Sequence, residues 1–363
     1  MPDHVTRCRS LLETIEEDAF IAYNLEHSDC ATIRYLTGFT GEGVLIVGRG
    51  ETVLLTDSRY MEQAERETDG IQVEESPTWT GKGSAAALEC RSFERIAFSS
   101  KRASCHWLET MRTSSSIELV SLKDPVAPLR CVKSDDEVDL LKRAAEIAED
   151  ALSKLQREIR IGMDEAEIAL RLEWLIRNTR GAEHIAFESN VSSGPNTALN
   201  HYNPFFDPQP LRQGDLLLLD FGACVGGYRS DITRTFSVGE SDPEMRAIYD
   251  LVLRANLAAI DGVRTGRTGV EVDAIAREVI VSGGHGEHFG HGLGHGIGLE
   301  VHEGPSLSPR SEDTLTPGMV ATIEPGVYLP GRGGVRIEDD VVITEDGCEV
   351  ITAFPKDRLI EVG

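Results

Sequence analysis

Five side chains in the second half of the sequence have the types and spacing to hold a pair of divalent cations: Asp220, Asp231, His295, Glu324 and Glu338. Asp220 directly follows the apolar run 216–219, and Asp231 directly precedes the run 232–238. A turn around Val225-Gly226 would set these two acids opposite each other across an antiparallel ladder, where facing Cβ atoms lie roughly 5 Å apart. Two carboxylates that close repel unless one is protonated or a cation sits between them. Glu324 and Glu338 repeat the arrangement about Gly331. Arg336 stands two residues before Glu338, shares its face and is placed to hold a carboxylate. A single acid beside a Gly-rich turn is ordinarily a solvated turn residue. Four acids arranged alike in two hairpins are not explained that way.

The histidines supply a nitrogen ligand. His285, His288, His291, His295 and His302 place five of the ten histidines between positions 285 and 302. A flexible His- and Gly-rich tract would bind metal loosely. Against that, residues 297–302 alternate apolar and polar, the pattern of a strand. His291 and His295 stand four apart, as in helical zinc proteases. Gly292 occupies the place of the catalytic Glu, however, and the glycines oppose a helix. One His with four carboxylates makes a hard, oxygen-rich set suited to Mn²⁺, Co²⁺ or Zn²⁺ rather than to a thiolate metal. Four negative ligands also balance two divalent ions and leave charge to stabilise an oxyanion.

These residues need elements to position them. Ser134 and Glu137 form a capping box, after which Val138, Leu141, Ala145, Ala148, Leu152, Leu155 and Ile159 step by three and four, which predicts an amphipathic helix. Asp164 with Glu167 caps a second helix to about Arg180. Strand-like runs 216–219 and 232–238 follow, separated by Gly226-Gly227. The order then repeats. Ser241 with Glu244 opens a helix to about Asp261, residues 270–281 make another, and the strand-like runs 320–323 and 335–343 flank Pro330-Gly331. Two helices followed by a hairpin, twice over, predicts an internally duplicated domain with pseudo-twofold symmetry. Upstream, Asp124-Pro125-Val126-Ala127-Pro128 marks a domain boundary. It separates residues 1–125, where apolar runs 44–47 and 53–55 alternate with polar helical stretches as in a small α/β domain, from residues 126–363.

Bulk composition narrows the partners. The 363 residues suffice for two cores. There are 61 acidic against 36 basic residues, a net charge of −25, and only seven of the basic residues are Lys. Such a surface repels nucleic acid and anionic lipid, which excludes both as main partners. Few lysines and many carboxylates fit a heavily hydrated, halophilic surface in a salty cytosol, where screening relieves self-repulsion. Residues 1–17 carry no apolar core after a basic patch, so no signal peptide is expected, and no apolar run reaches the ~18 residues that span a bilayer. The seven cysteines are odd in number and unpaired in spacing, which points to a reducing compartment, the cytoplasm.

Several segments resemble the pita-bread metallopeptidases, which include Xaa-Pro dipeptidases (prolidases) and Xaa-Pro aminopeptidases, and the resemblance covers nearly the whole chain. Ile33-Arg34-Tyr35-Leu36-Thr37-Gly38-Phe39-Thr40 and Leu55-Thr56-Asp57-Ser58-Arg59-Tyr60 look like the creatinase-type N-terminal domain. Ser193-Gly194-Pro195-Asn196 with His201, Leu219-Asp220-Phe221-Gly222 and Ser230-Asp231-Ile232-Thr233-Arg234-Thr235 look like the catalytic motifs. So do His291-Gly292-Leu293-Gly294-His295-Gly296-Ile297-Gly298, Ile323-Glu324-Pro325-Gly326 and Val335-Arg336-Ile337-Glu338-Asp339.

The resemblance implies an α+β protein, with a creatinase-like α/β N-terminal domain (1–125) and a pita-bread catalytic domain (126–363) of pseudo-twofold symmetry. It implies that Asp220 chelates one metal, His295 and Glu324 the other, and that Asp231 and Glu338 bridge both. Glu324 would take a proton from the attacking water, and His302 would contact the carbonyl or gem-diolate oxygen. His291 would line the substrate pocket and His201 would lie near the scissile amide. The implied activity is hydrolysis of the Xaa-Pro bond of proline-containing dipeptides or short peptides, by a homodimer using Mn²⁺ or Co²⁺, with Zn²⁺ the alternative. An X–Pro amide has no N–H to offer, so its recognition needs a shaped pocket. His285 and His288 match no motif and read as loop histidines.

One position departs from the pattern. Dipeptide-specific relatives carry an Arg just after the His-Glu-x-Pro stretch, whereas here His302-Glu303-Gly304-Pro305 is followed by Ser306. Aminopeptidase action on longer peptides therefore stays open. A creatinase-like non-peptide hydrolase that works without metals and a non-catalytic peptide-binding protein are the alternatives on the same fold. The complete five-ligand set speaks against the first, and a metal titration separates the second.

Overall fold

The computed structural model describes residues 4–25, 29–76, 78 and 81–363. Residues 1–3, the start of the stretch read for a signal peptide, lie outside the described residues. The chain divides into two compact units, Met1–Arg130 and Cys131–Gly363.

In the first unit the apolar runs are strands buried at nearly every position, as sheets covered on both faces require. The six strands lie in the order Gln72–Glu75, Thr52–Thr56, Gly43–Gly48, Ala19–Asn24, Arg95–Ser99, Glu118–Leu122. Ala19–Asn24 runs antiparallel to Gly43–Gly48 and parallel to Arg95–Ser99, so the sheet is mixed. Trp107, on the helix Cys105–Ser114, stacks on Tyr23 of the central strand with ring centroids 5.0 Å apart. In the first N-terminal motif, Asp29 caps the helix Cys30–Thr37 and Gly38, at φ 81°, ends it in the left-handed region that glycine tolerates.

The second unit repeats itself. Helices Asp135–Leu155 and Glu165–Arg177 open it, the first with the Ser134/Glu137 capping box and the second with Asp164 accepting from Glu167 N. Their apolar faces pack with strands Leu216–Phe221 and Ile232–Val238 into one core cluster that includes Leu152, Leu172, Leu219 and Phe236. Helices Pro243–Gly262 and Gly269–Ser282 open the second half. They pack with Val320–Ile323 and Asp339–Ile343 into a separate cluster that includes Val252, Ala276, Ile323 and Val341. The final strand, Ile360–Val362, returns to pair in parallel with Phe236–Val238 of the first half.

Three local expectations need correction. The third helix is capped by Asp242, not Ser241: Asp242 accepts from Glu244 N and Pro243 takes the first helical position, where its missing N–H is harmless. Residues 297–302 form no strand but connect Gly294–Gly296 to Glu303–Leu307, and their alternation reflects the burial of Ile297 and Leu299. In the first hairpin Asp220 faces Thr233 rather than Asp231. The turn is Gly226-Gly227, with φ of 58° and 83°, because a two-residue turn between Val225 and Tyr228 needs positive φ at both central positions. Asp231 lies two residues from Thr233, so the two acids still share a face.

The second hairpin has the expected register. Ile323 faces Asp339 and Gly326 faces Arg336, which brackets Glu324 and Glu338 about Gly331. The run 335–343 is divided into Gly333–Arg336 and Asp339–Ile343, with Ile337 and Glu338 between. All seven cysteines are free thiols. Among the described residues no helix is long and apolar enough to cross a membrane.

Candidate metal centre and substrate cleft

His295 sits in the short strand Gly294–Gly296, held between Glu303–Leu307 and Val320–Ile323. Its flanking glycines are a packing requirement. A Cβ at Gly294 would collide with the Thr322 carbonyl, and one at Gly296 with the Gly304 carbonyl. The imidazole is oriented by Nδ1, which lies 3.1 Å from the Gly296 carbonyl and donates to it, because a carbonyl can only accept. Nε2 is thereby left with a lone pair, 3.3 Å from Glu324 Oε1 and 3.9 Å from Asp231 Oδ2.

The acids are fixed by hydroxyls and by one arginine. Thr233 Oγ1 donates to Glu338 Oε2 at 2.6 Å. Thr322 Oγ1 lies 3.2 Å from Glu324 Oε1 and 3.1 Å from His295 N. Arg336, 4% exposed, sends Nη2 to Asp220 Oδ2 at 2.5 Å, Nε to Thr233 Oγ1 at 3.0 Å and Nη1 to the Tyr328 hydroxyl at 3.0 Å. The Asp231 backbone N–H donates to Asp340 Oδ2 at 3.0 Å, while Asp231 Oδ1 is buried with no partner. Beneath the site, the buried Arg234 joins Asp339 at 2.9 Å and the Phe354 carbonyl, and Asn256 ties Ile323 O to Asp339.

Crowded, buried carboxylates resist ionisation. Burial pushes Asp231 well above the usual carboxylate range, and the charges of Glu338, Asp220 and Asp340 push it further. Burial, then Glu324 and Asp220, raises Glu338 likewise. Glu324 is raised to about 7, chiefly by burial, with Arg336 opposing. Burial lowers His295 and His302, keeping both imidazoles neutral. Burial alone would lower Arg336, but Tyr328, Asp220 and Glu338 overcome it and hold the guanidinium charged.

His291 is the end of a directional chain. Its Nδ1 donates to the Gly292 carbonyl at 2.7 Å, and its Nε2 lies 3.0 Å from the Tyr328 hydroxyl. That hydroxyl accepts from Arg336, so its proton points to His291 Nε2. Burial and the Arg336 charge lower His291 to about 4, and the ring is neutral. Tyr328 reaches this place because glycine lies across from it: a Cβ at Gly334 or Gly326 would strike the phenol.

A cleft of about 720 Å³ gathers these groups. Asp220, Asp231, His295, Glu324 and Glu338 all line it, as do His201, His291, His302 and Arg336. His302 meets His295 edge-on with centroids 4.3 Å apart. His285 and His288 lie on the turn after Gly269–Ser282, with rings 5.8 Å apart, and do not line the cleft. Thr233, Thr322 and Tyr328 fix the acids and His291, and residue type alone does not mark them for that role. Thr233 carried a usable signal: it lies two residues from Asp231, on the same face.

The residues fit a divalent metal. Ligand atoms of Asp231, His295 and Glu338 lie within 4.8 Å of one another. Asp231 Oδ1 lacks the donor that a buried oxygen requires. The uncompensated repulsion among the acids is what a cation removes. Residues 139–345 match metallopeptidase family M24, and residues 5–132 match the creatinase/prolidase N-terminal domain. The chain belongs to metallopeptidase family M24. An Xaa-Pro dipeptidase from Bacillus anthracis has the same fold as this M24 chain, with TM-score 0.92 and 38% identity over 99% of both chains. An X-Pro aminopeptidase from Thermotoga maritima matches with TM-score 0.90 and 38% identity, covering 97% of this chain and 100% of its own. A Pyrococcus furiosus Xaa-Pro dipeptidase is 41% identical over 253 residues, 69% of this chain and 72% of that one.

Proposed function

We propose that this M24 chain is a metal-dependent exopeptidase that hydrolyses the Xaa-Pro bond of dipeptides or short peptides. The observation that carries the reading is the convergence of four carboxylates and His295 in one cleft, with Asp231 Oδ1 buried and unpartnered. Asp220 would hold one divalent ion, His295 and Glu324 a second, and Asp231 and Glu338 both. When bound, such a pair supplies Lewis acidity and lowers the pKa of an attacking water. Glu324 would accept a proton from that water. His302 contacts the developing oxyanion, His291 walls the substrate pocket and His201 lies by the leaving nitrogen. Arg336 holds Asp220 in place.

Four carboxylates and one imidazole favour Mn²⁺ or Co²⁺, with Zn²⁺ next. The same proposal includes residues 1–125 as an N-terminal domain and 126–363 as the catalytic domain, a homodimeric assembly, and work in a salty cytoplasm that suits the net charge of −25. Chelation, then reloading with each metal and assay of Ala-Pro beside Ala-Pro-Gly at low and high KCl, tests the reading. Restored turnover is expected. Its complete absence with metal loaded, at every salt concentration, would sink the proposal.

A further inference from the structure

The mouth of the cleft carries an apolar rim that the hydrolytic groups do not use. The loop after His201 is fixed at the buried Glu165, whose Oε2 accepts from the Tyr202 hydroxyl at 2.8 Å. It then turns at Asn203, whose Oδ1 accepts from Phe205 N at 2.9 Å and whose carbonyl accepts from Phe206 N at 3.2 Å. On this anchored loop Phe205 lines the cleft and is 46% exposed, and Phe206 beside it is 89% exposed. A half-exposed phenyl lining the cleft, with a second exposed Phe next to it in the chain, leaves apolar surface where a substrate would pass.

An exopeptidase that removes one N-terminal residue must stay open where the rest of the peptide leaves, and Phe205 both lines the cleft and reaches solvent, with Phe206 exposed next to it in the chain. Among the described residues, no Lys and no Arg other than Arg336 lines the cleft, and Arg336 is engaged with Asp220. Neither side chain can serve a peptide carboxylate there, and the rim offers hydrocarbon instead. We propose that Phe205 and Phe206 form a subsite for an apolar side chain on the residue that follows the scissile proline. The inference rests on the Xaa-Pro reading of the cleft, and it makes peptides of the form Xaa-Pro-Yaa with apolar Yaa the favoured substrates.

Three measurements on wild type and F205S/F206S test it: kcat/KM for Ala-Pro-Phe and Ala-Pro-Gly, calorimetric binding of Pro-Phe and Pro-Gly to the metal-loaded protein, and sedimentation velocity. Wild type should favour Ala-Pro-Phe by roughly tenfold or more, and the double variant should bring the ratio within about twofold, since burial of one phenyl supplies a factor of that order. Turnover of Ala-Pro-Gly should persist in the variant. A wild type indifferent to Yaa, or a preference that survives in the variant, would overturn the subsite alone. If wild type cleaves no Xaa-Pro peptide, the hydrolytic reading fails and the Pro-Phe over Pro-Gly binding ratio decides the subsite by itself. Loss of a dimer in the double variant with an unchanged peptide ratio would assign the rim to a second copy of the chain and overturn the proposal.

Discussion

The Thr233 hydroxyl donates to Glu338 Oε2 at 2.6 Å and accepts from Arg336 Nε at 3.0 Å, so one side chain of the first hairpin positions two of the second. T233V should lower metal affinity by roughly 10–100-fold, the range expected when a partner of a ligand is removed. T233S should stay close to wild type. Competitive titration against a chromophoric chelator measures both, and an unchanged affinity in T233V would show that this hydroxyl does not place Glu338.

The metal-free protein should lose stability as pH rises from about 6.5 to about 8, above the range in which His291, His295 and His302, lowered by burial, titrate and oppose the trend. Asp231, Glu324 and Glu338 have folded-state pKa values above their unfolded ones, with Glu324 at about 7. The folded state therefore binds more protons across that window, and raising the pH favours unfolding. Melting of the chelated protein at pH 6.5 and pH 8 should show a lower Tm at pH 8. Mn²⁺ should shrink the difference, because a cation replaces the lost protons. A chelated protein with equal or higher Tm at pH 8 would contradict the crowding argument.

E338Q separates stability from activity. It removes one charge from a buried group of four and keeps the shape. Without metal at pH 8 the variant should be more stable than wild type, because burial and the charges of Glu324 and Asp220 hold the Glu338 carboxyl well above its usual range and its ionisation there costs stability. Turnover should fall to the limit of detection. Urea titration of the chelated proteins gives the comparison, and a destabilised E338Q would mean that its hydrogen bond to Thr233 outweighs the repulsion.

Y328F should act on substrate rather than on metal. Losing the hydroxyl leaves Arg336 Nη1 without its acceptor and frees His291 Nε2. A fall in kcat/KM of about tenfold is expected, carried mostly by KM, for the loss of one buried hydrogen bond. Metal affinity should stay near that of wild type. Equal losses in both would make Tyr328 part of the metal support.

Much of this site was legible because hairpin registers and helix caps are local. The Glu324/Glu338 register followed from a turn centred on Gly331, and the Ser134/Glu137 box located the first catalytic-unit helix. The Asp220/Asp231 register differs by two positions from the one a Val225-Gly226 turn predicts. Val225-Gly226 and Gly226-Gly227 are both plausible turns in sequence, and only the backbone dihedrals separate them. Residues 297–302 alternate as a strand does, yet serve as a connection, since alternation reports burial and not pairing. Tyr328 was invisible for another reason: its importance depends on empty space above Gly334, a relation across the ladder.

The two halves of the second unit each own a hydrophobic core, and the proposed ligand set is divided between them: Asp220 and Asp231 from one, His295, Glu324 and Glu338 from the other. The centre is thus a latch across a seam. Neither half holds the whole set, and a slip of the halves by an ångström parts the donors while both cores stay intact. Ion release should accordingly be the earliest sign of breathing in this enzyme, ahead of any melting. Thr233 and Arg234 bond across to Glu338 and Asp339 of the second half, Asn256 ties Ile323 to Asp339 within it, and together they keep the seam in register.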